Sequence, residues 1–453
     1  MSKVLFLNQP SMGHLNTLLT IALQMKEDGH EVSFLVPGIK NNNSKIEVFR
    51  VASLIPQLIE KNNIKVDLVT PSLLAAILGV ALPFASGYNE LMLAIEVGGT
   101  AIEHYTKQVI NHLEANKFDV LVSDFAFFAA HIAAEYKNIP CATVFHSGLP
   151  FKGKNIPPFG SGLPIGEQAE ILGQKYLRRE RFIFSRLNSR INRAKGKFGL
   201  PSISTDTLSK PYSKWLNLIT SAEAIEAERD SLTDNTFFIG PCFAKRKNQT
   251  TDFPFDKLRS DKYKVYVSLG TVFNNKPKVF QKIMNALNYP DYQVIISGGG
   301  AYEKLKQGFV PENVLLFPSV PQIDLLPRVD LVIGHGGNNT INETLAAGKP
   351  LIVMPIGGEQ GDNASRVEYL EVGLRINIYG FSENELRTKV DIIRTKEEFA
   401  QRATELKIEL AKTDGAKSAA MLVELLAKSK KPLLRPKGFP LTVTNENRLQ
   451  LLT

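Results

Sequence analysis

Two residues far apart in the chain, His14 and Asp124, have the types and surroundings of a proton-transfer pair. His14 follows the glycine of Asn8 to His14 (NQPSMGH) and opens the stretch 14–28, in which Leu15, Leu18, Leu19, Ala22, Leu23 and Met25 recur at helical spacing until Gly29. A histidine in the first helical turn feels the positive end of the dipole, which disfavours imidazolium and leaves a neutral acceptor near pH 7. Asp124 follows the apolar run DVLVS, so its carboxylate stands at a strand end. There it would orient the imidazole and stabilise the cation formed when a hydroxyl gives up its proton. A lone Gly-His pair at a helix start reads more readily as a cap; a second constellation tips the balance toward a base.

That constellation runs from Val320 to Asn363. Asp330 to Ile333 (DLVI) reads as a buried strand, Gly334-His335-Gly336-Gly337 lets backbone amides approach a ligand closely, and Asn339-Thr340 opens a helix that runs to Ala347. A strand, a glycine turn and a helix N-terminus make an anion site, where free N–H groups and the dipole hold phosphate. His335 adds a donor. Glu343 lies four residues beyond Asn339, on the same helical face, where a carboxylate could bind the two hydroxyls of a ribose. No Asp-x-Asp occurs in the chain, so the paired carboxylates that chelate a divalent ion against a nucleotide diphosphate are missing. No metal and no cofactor beyond a nucleotide-sugar co-substrate is expected.

This stretch resembles the donor-binding signature of family 1 glycosyltransferases, the UDP-glycosyltransferase superfamily with its two-domain GT-B fold, and within it the bacterial macrolide glycosyltransferases. The resemblance extends to NQPSMGH with Gly29-His30-Glu31-Val32, to Phe118 to Asp124 with Ile139-Pro140, and to Ser268-Leu269-Gly270-Thr271. It implies that Gln322 contacts the base or ribose, Glu343 the ribose, and His335, Gly337, Asn339 and Thr340 the diphosphate. Ser268, Gly270 and Thr271 would form the facing turn, and Glu359 and Gln360 would meet the sugar hydroxyls. Where the family often has a Trp three residues before the Gln, this chain has Ser319, which leaves the choice between UDP and dTDP open.

Elements that would position these residues follow from the apolar runs. Val4–Leu7, Glu31–Val36, Asp119–Ser123 and Ala142–Phe145 alternate with helical stretches, and the pattern restarts at 264–269, 293–297, 313–317, 330–333 and 351–354. The fold class expected is α/β, two Rossmann-like doubly wound parallel-sheet domains facing across a cleft. In such sheets ligands bind beyond the carboxyl ends of the strands. The boundaries expected are 1–240 for acceptor binding, 241–262 as linker, 263–430 for the nucleotide sugar, and a tail, 431–453, packing back on the first domain. Acceptor contacts are expected from Met12, Phe84, Tyr88, Phe125 and His146, since the uncharged 68–89 stretch and the Phe125, Phe127, Phe128 cluster suggest an apolar pocket.

The 453 residues are 43% hydrophobic and 22% charged, ordinary globular usage that excludes a disordered chain or a membrane bundle. The net charge of +9 is concentrated. Lys175–Lys197 holds nine basic residues and one acid, and Lys428–Lys437 five basic residues and none. The first segment interleaves them with Leu177, Phe182, Ile183, Phe184, Leu187 and Ile191, the composition of a helix lying on an anionic membrane; a solvated basic helix is the plainer alternative. Cys141 and Cys242 form no metal or disulfide pattern, and the N-terminus reads as a strand rather than a signal peptide. A cytoplasmic protein is expected, peripheral at a membrane's inner face if the basic segment docks there, with no nucleic-acid partner.

The function expected is inverting transfer of a hexosyl group, glucose by default, from a UDP- or dTDP-sugar to a hydroxyl of a lipophilic acceptor such as a macrolide, polyphenol, sterol or carotenoid. Two alternatives stand beside it: a nucleotide-sugar epimerase on the same fold, and a non-catalytic protein binding membrane or nucleic acid through its basic segments.

Overall fold

The computed structural model describes residues 1–9, 11–38, 47–75, 87–146, 148–203, 208–243, 253–270 and 275–452; of Met12, residues 47–52 and Gly87 only the backbone is described. Half of the uncharged 68–89 stretch, Phe84 with it, therefore lies outside the described residues, as do Thr271 and most of the 241–254 segment.

Two parallel sheets form the framework. The first holds β1 (Lys3–Leu7), β2 (Glu31–Pro37), β3 (Lys65–Val69), β4 (Val120–Asp124), β5 (Cys141–Phe145), β6 (Leu216–Ile219) and β7 (Thr236–Phe238), in the order 3-2-1-4-5-6-7. The second holds β8 (Tyr263–Ser268), β9 (Tyr292–Ser297), β10 (Val314–Phe317), β11 (Leu331–Gly334), β12 (Leu351–Val353) and β13 (Gly373–Arg375), in the order 10-9-8-11-12-13. Their central strands are almost wholly buried runs, as parallel sheets covered on both faces require, while the edge strands β3, β10 and β13 are mostly half-buried. Both sheets reverse direction of winding at one place, between β1 and β4 and between β8 and β11. A crevice opens there at the strand ends. Leu7 pairs with Ser123, and Gly334 with Ser268, so the residues just beyond these pairs sit side by side at the two switch points.

The helices of nine or more residues are α1 (Met12–Glu27), α2 (Glu47–Lys61), α3 (Gly87–Thr100), α4 (Ile102–Ala115), α5 (Phe128–Lys137), α6 (Ala169–Lys197), α7 (Pro277–Ala286), α8 (Asn338–Ala346), α9 (Gln360–Tyr369), α10 (Glu383–Thr395), α11 (Glu397–Ala411) and α12 (Gly415–Ser429). On one face of the first sheet α1 buries Leu15, Leu18, Ile21, Ala22 and Met25 together with Ala419, Leu422, Val423 and Leu426 of α12. The last long helix thus completes the core of the first sheet although it follows the second in sequence. Beyond it the chain runs along β7, where Val443 donates to the Phe238 carbonyl at 2.7 Å and Phe238 to that of Leu441 at 2.9 Å. The outgoing and returning segments touch at glycines: a Cβ on Gly415 would lie 2.5 Å from the Gly240 carbonyl oxygen, and one on Gly240 2.2 Å from Thr413 Oγ1.

The basic segment 175–197 is helical, within α6, but its apolar stripe faces inward. Ile183, Phe184, Leu187, Ile191 and Ala194 are buried with Met92, Ile102, Phe128 and Phe159. Each large side chain so buried contributes about 1.5–3 kcal/mol to folding, which outcompetes a membrane for the same face. Four of its nine cations pair with carboxylates of the protein: Arg186 and Arg190 with Glu96 at 2.8 and 2.9 Å, Lys195 with Glu135 and Lys197 with Glu103. Of the apolar residues named for that segment Phe182 alone is exposed, at 58%, so most of the face that a membrane-lying helix would need is spent on the core. Among the described residues no helix is long and apolar enough to cross a membrane.

Candidate active site

The site begins at the β1/β4 crevice. β1 ends at Leu7, the chain turns through Asn8 and Gln9, and His14 emerges in the first turn of α1. Asp124 closes the adjacent β4, wholly buried. One of its oxygens, Oδ1, accepts from the Ala126 amide at 2.7 Å, which leaves Oδ2 to meet two imidazoles. His14 Nδ1 lies 2.6 Å from Oδ2 and His146 Nε2 lies 3.2 Å from it. The Gln9 side-chain amide nitrogen closes the other side of His14 Nδ1 at 2.7 Å.

Burial alone would raise the Asp124 pKa, but the charge and hydrogen bond of His14, with those of His146, hold it well below the usual carboxylate range. Burial likewise works against the imidazolium of His14, and the Asp124 carboxylate outweighs it, so His14 is raised above 6.5. The expectation that the helix dipole would keep His14 neutral missed this stronger term. His146 goes the other way, lowered by burial and by the neighbouring His14, whose ring centroid is 4.1 Å away. With Asp124 ionised, His14 Nδ1 carries a hydrogen and donates it to Oδ2; Nε2 is left with its lone pair, directed away from the carboxylate.

His14 lines a cavity of about 280 Å³ with Phe125, Phe128, Leu91, Ile95, Phe159, Leu187 and Leu208 on one side and Gly357 to Gln360 on the other. Phe125 thus stands on the cavity wall, its ring centroid 5.8 Å from that of His14. His146 is not an acceptor contact: it is buried behind His14 and holds Asp124. Tyr88 packs in the α3–α6 contact, donating to the Tyr176 carbonyl at 3.2 Å with the two rings 4.8 Å apart. Met12 contributes backbone only to the described structure. Glu90 of α3, which the motif search passed over, reaches across to the Gly357-Gly358 backbone, where a Cβ on Gly357 would collide with its carboxylate. Burial, and then the charge of Glu359, raise the pKa of Glu90.

The second sheet supplies the opposite wall from its own switch point. The His335 ring lies between two glycines, since a Cβ on Gly270 or Gly337 would fall 2.6 or 2.7 Å from Nε2. Gly270 has φ +82° and Gly336 +92°, values open to glycine but costly for other residues. Burial lowers the His335 pKa to about 4, so it is a neutral donor, and its Nδ1 has no partner among the described residues. Ser268 is buried at the end of β8, beside Gly334. Gly337 caps α8, and Thr340 stands in its first turn, so the N-terminus of α8 opens on the crevice beside His335. Gln322 donates to Glu343 at 2.5 Å while its oxygen accepts from Tyr266 at 2.9 Å, which brings the two expected ribose contacts together. Glu359 caps α9, and the Gln360 oxygen accepts from the Ile356 and Gly357 amides at 2.8 and 3.2 Å, so this side chain braces the 356–360 turn.

Contacts from α8 and α9 tie the two walls. Asn338 donates to the His146 carbonyl at 2.9 Å, Asn339 to that of Gly13 at 3.3 Å and Asn342 to that of Thr220 at 3.5 Å. Three loops of the first sheet are held by one helix of the second. Asn338 in turn accepts from Arg366 at 2.6 Å, and Arg366 pairs with the buried Glu226. On α9, Asp362 accepts from the amides of Gly160 at 2.5 Å and Gly162 at 2.8 Å. Sequence reading missed Asn338, Asn342, Arg366 and Asp362 as contacts, because their partners lie in the other half of the chain; the Asn338-Asn339 doublet was the one visible signal.

Residues 181–408 match the model of the UDP-glucoronosyl and UDP-glucosyl transferase family. The chain belongs to this family. This glycosyltransferase is 23% identical over 432 residues to the NDP-glycosyltransferase YjiC of Bacillus subtilis (strain 168), an alignment covering 93% of this chain and 96% of that protein. In structure it is similar to the glycotransferase of kitacinnamycin, with a TM-score of 0.70 and 20% identity, covering 95% of this chain and 100% of the other. It is similar also to the glycosyltransferase VinC in complex with dTDP, with a TM-score of 0.63 and 16% identity over 94% of this chain and 100% of VinC. The glycosyltransferase has the GT-B fold of these neighbours, and its donor is a nucleotide sugar.

Proposed function

We propose that the enzyme transfers a hexosyl group, glucose by default, from a UDP- or dTDP-sugar to a hydroxyl of a lipophilic small molecule or lipid with inversion at the anomeric carbon. The observation that carries this reading is the His14–Asp124 contact at 2.6 Å, with His14 on the wall of an apolar cavity whose far side is the Gly357 to Gln360 turn. The acceptor hydroxyl gives its proton to Nε2 of His14, its oxygen attacks the anomeric carbon from the face opposite the nucleotide, and the nucleoside diphosphate leaves. Asp124 stabilises the imidazolium formed. The departing diphosphate is met by the N-terminus of α8 and by the neutral His335 ring, whose Nδ1 has no partner among the described residues. Phe125, Phe128, Phe159 and Leu91 favour an acceptor with a hydrophobic body, of the macrolide, polyphenol, sterol or carotenoid kind. An NDP-glycosyltransferase and a dTDP-bound glycosyltransferase among the similar proteins support the donor class.

A mass-spectrometric screen of UDP- and dTDP-sugars against lipophilic acceptors tests the reading, with a β-glycoside expected from an α-linked donor. His14→Ala lowers turnover about 100-fold or more with donor binding retained; an unimpaired variant removes the base assignment. Incubation with donor alone leaves the sugar's C2 configuration unchanged, whereas a C2-inverted product would favour an epimerase. Activity persists in excess EDTA.

A further inference from the structure

We propose that His14, Asp124 and His146 form a capture site for a borderline transition-metal cation, zinc above all, and that capture switches the enzyme off. The three side chains offer two imidazole nitrogens and one carboxylate oxygen, all within 4.8 Å of one another. Both nitrogens already point at the same oxygen, at 2.6 Å from His14 and 3.2 Å from His146. A tetrahedral zinc with bonds of about 2.0–2.2 Å keeps neighbouring ligand atoms roughly 3.3–3.5 Å apart. Asp124 Oδ2 and His146 Nε2 stand close to that separation, on the ends of adjacent paired strands, and His14 need retreat by less than about 1 Å. His14 is the one member with freedom to do so: its side chain is 19% exposed, against 0% for Asp124 and 1% for His146. The Ala126 amide on Oδ1 fixes the carboxylate as an outer partner fixes a metal ligand. His14, the member that lines the cavity, separates the three ligand atoms from it, so an ion enters as that ring moves. Two imidazoles and one carboxylate select zinc, cobalt, nickel or copper over magnesium and calcium, which prefer oxygen alone.

Capture blocks the chemistry through the tautomer. In the ion-free site the hydrogens of His14 and His146 lie on the nitrogens that face Asp124. A metal on those nitrogens displaces both hydrogens, each ring keeping one on its far nitrogen. On His14 the far nitrogen is Nε2, the atom proposed to receive the acceptor's proton, so the base is filled and held. The binding half of this proposal is independent of the catalytic reading; the inhibition half rests on it.

The full-length enzyme, stripped with EDTA and desalted, is titrated with cobalt chloride and followed by visible absorption, and with zinc chloride by calorimetry. The expected result is the intense absorption of four-coordinate cobalt at one equivalent, displaced by zinc and indifferent to magnesium. His146→Asn and the less buried His14→Gln each weaken zinc binding about tenfold or more. Cobalt that keeps its six-coordinate spectrum, or zinc bound equally by both variants, overturns the site and leaves the base assignment standing. Zinc is further expected to stop nucleoside diphosphate release from donor and acceptor, with EDTA restoring it. Cobalt and zinc bound at these residues with turnover unchanged overturns the switch, and with it the role of His14 Nε2.

Discussion

At the scale of single residues the site is a set of close pairs drawn from distant parts of the chain. His14 and Asp124 are 110 residues apart, yet β1 and β4 are neighbours at the switch point, so the two side chains meet at 2.6 Å. Gln322 and Glu343 meet in the same way across β11 and its flanking helices. Replacing Glu343 with Ala removes a charged acceptor that, on the proposed reading, holds the ribose in ground and transition states alike. Steady-state kinetics should show a donor KM raised about tenfold with kcat changed little, since a hydrogen bond to a charged group is worth about 1.5–3 kcal/mol; a collapse of kcat at unchanged KM would place Glu343 in the chemistry instead. His14 and Asp124 were legible in the sequence because one opens a helix and the other ends an apolar run, where α/β sheets gather their ligands, whereas Gln322 and Glu343 were named singly and not as a pair. The protonation of His14 was not. It depends on how closely a buried carboxylate approaches, and 2.6 Å of separation outweighs a helix dipole. His146 was misread for a similar reason: a strand-end histidine can face the cleft or the neighbouring strand, and alternation along ATVF does not decide between them.

Among the elements, α8 and α9 have two tasks, since the helices that border the crevice of the second sheet also grip the start of α1 beside His14 and the backbone of His146. Asn338 is the clearest instance, buried and bonded at once to His146 and Arg366. Asn338→Ala strands a buried guanidinium and a buried carbonyl, and should cost about 2 kcal/mol in chemical denaturation while lowering kcat more than it raises donor KM; loss of stability with intact kcat would show a purely architectural contact. Asp362 on α9 gives a pH-dependent counterpart. Burial pushes its pKa up to about 6 despite two amide donors, above the ordinary 3.8. Its contribution to stability is therefore complete below about pH 4 and declines as pH rises through about 6, where the folded protein must bear a buried charge. Melting temperatures of the protein and of Asp362→Asn should converge, or cross in the variant's favour, between pH 4 and pH 7. Parallel curves would show that the carboxyl ionises freely. Nine of the strands were readable from apolar runs, whereas β3, with its Lys and Asp, the four-residue β6, and β7 and β13, three residues each, carry too little pattern to stand out.

Over the whole molecule, charge and apolarity separate differently from the way composition implies. The basic stretch of α6 keeps its aliphatic and aromatic side inside the first half, and several of its cations are matched by Glu96, Glu103 and Glu135. Anionic liposomes at about physiological ionic strength, where screening acts over about 8 Å, should therefore leave the protein in the supernatant; sedimentation that salt reverses would mean that the unpaired arginines suffice on their own. Composition could not show this, because the same residues at the same spacing serve a membrane-facing helix and a core-facing one; only the partners Met92, Phe128 and Phe159 distinguish them. The position of α12 has a further consequence, in time rather than space. The face of the first sheet that receives Leu422, Val423 and Leu426 is encoded in the first 240 residues, but the helix that covers it begins at Gly415. At a synthesis rate of about 5–20 residues per second, roughly 10–35 seconds separate the two on the ribosome. During that interval Val4, Phe6, Val120 and Val122 have α1 beside them but not yet their last neighbour, so the nascent first half is a client for whatever shields apolar surface in the cell, and its folding finishes only after the second half has emerged.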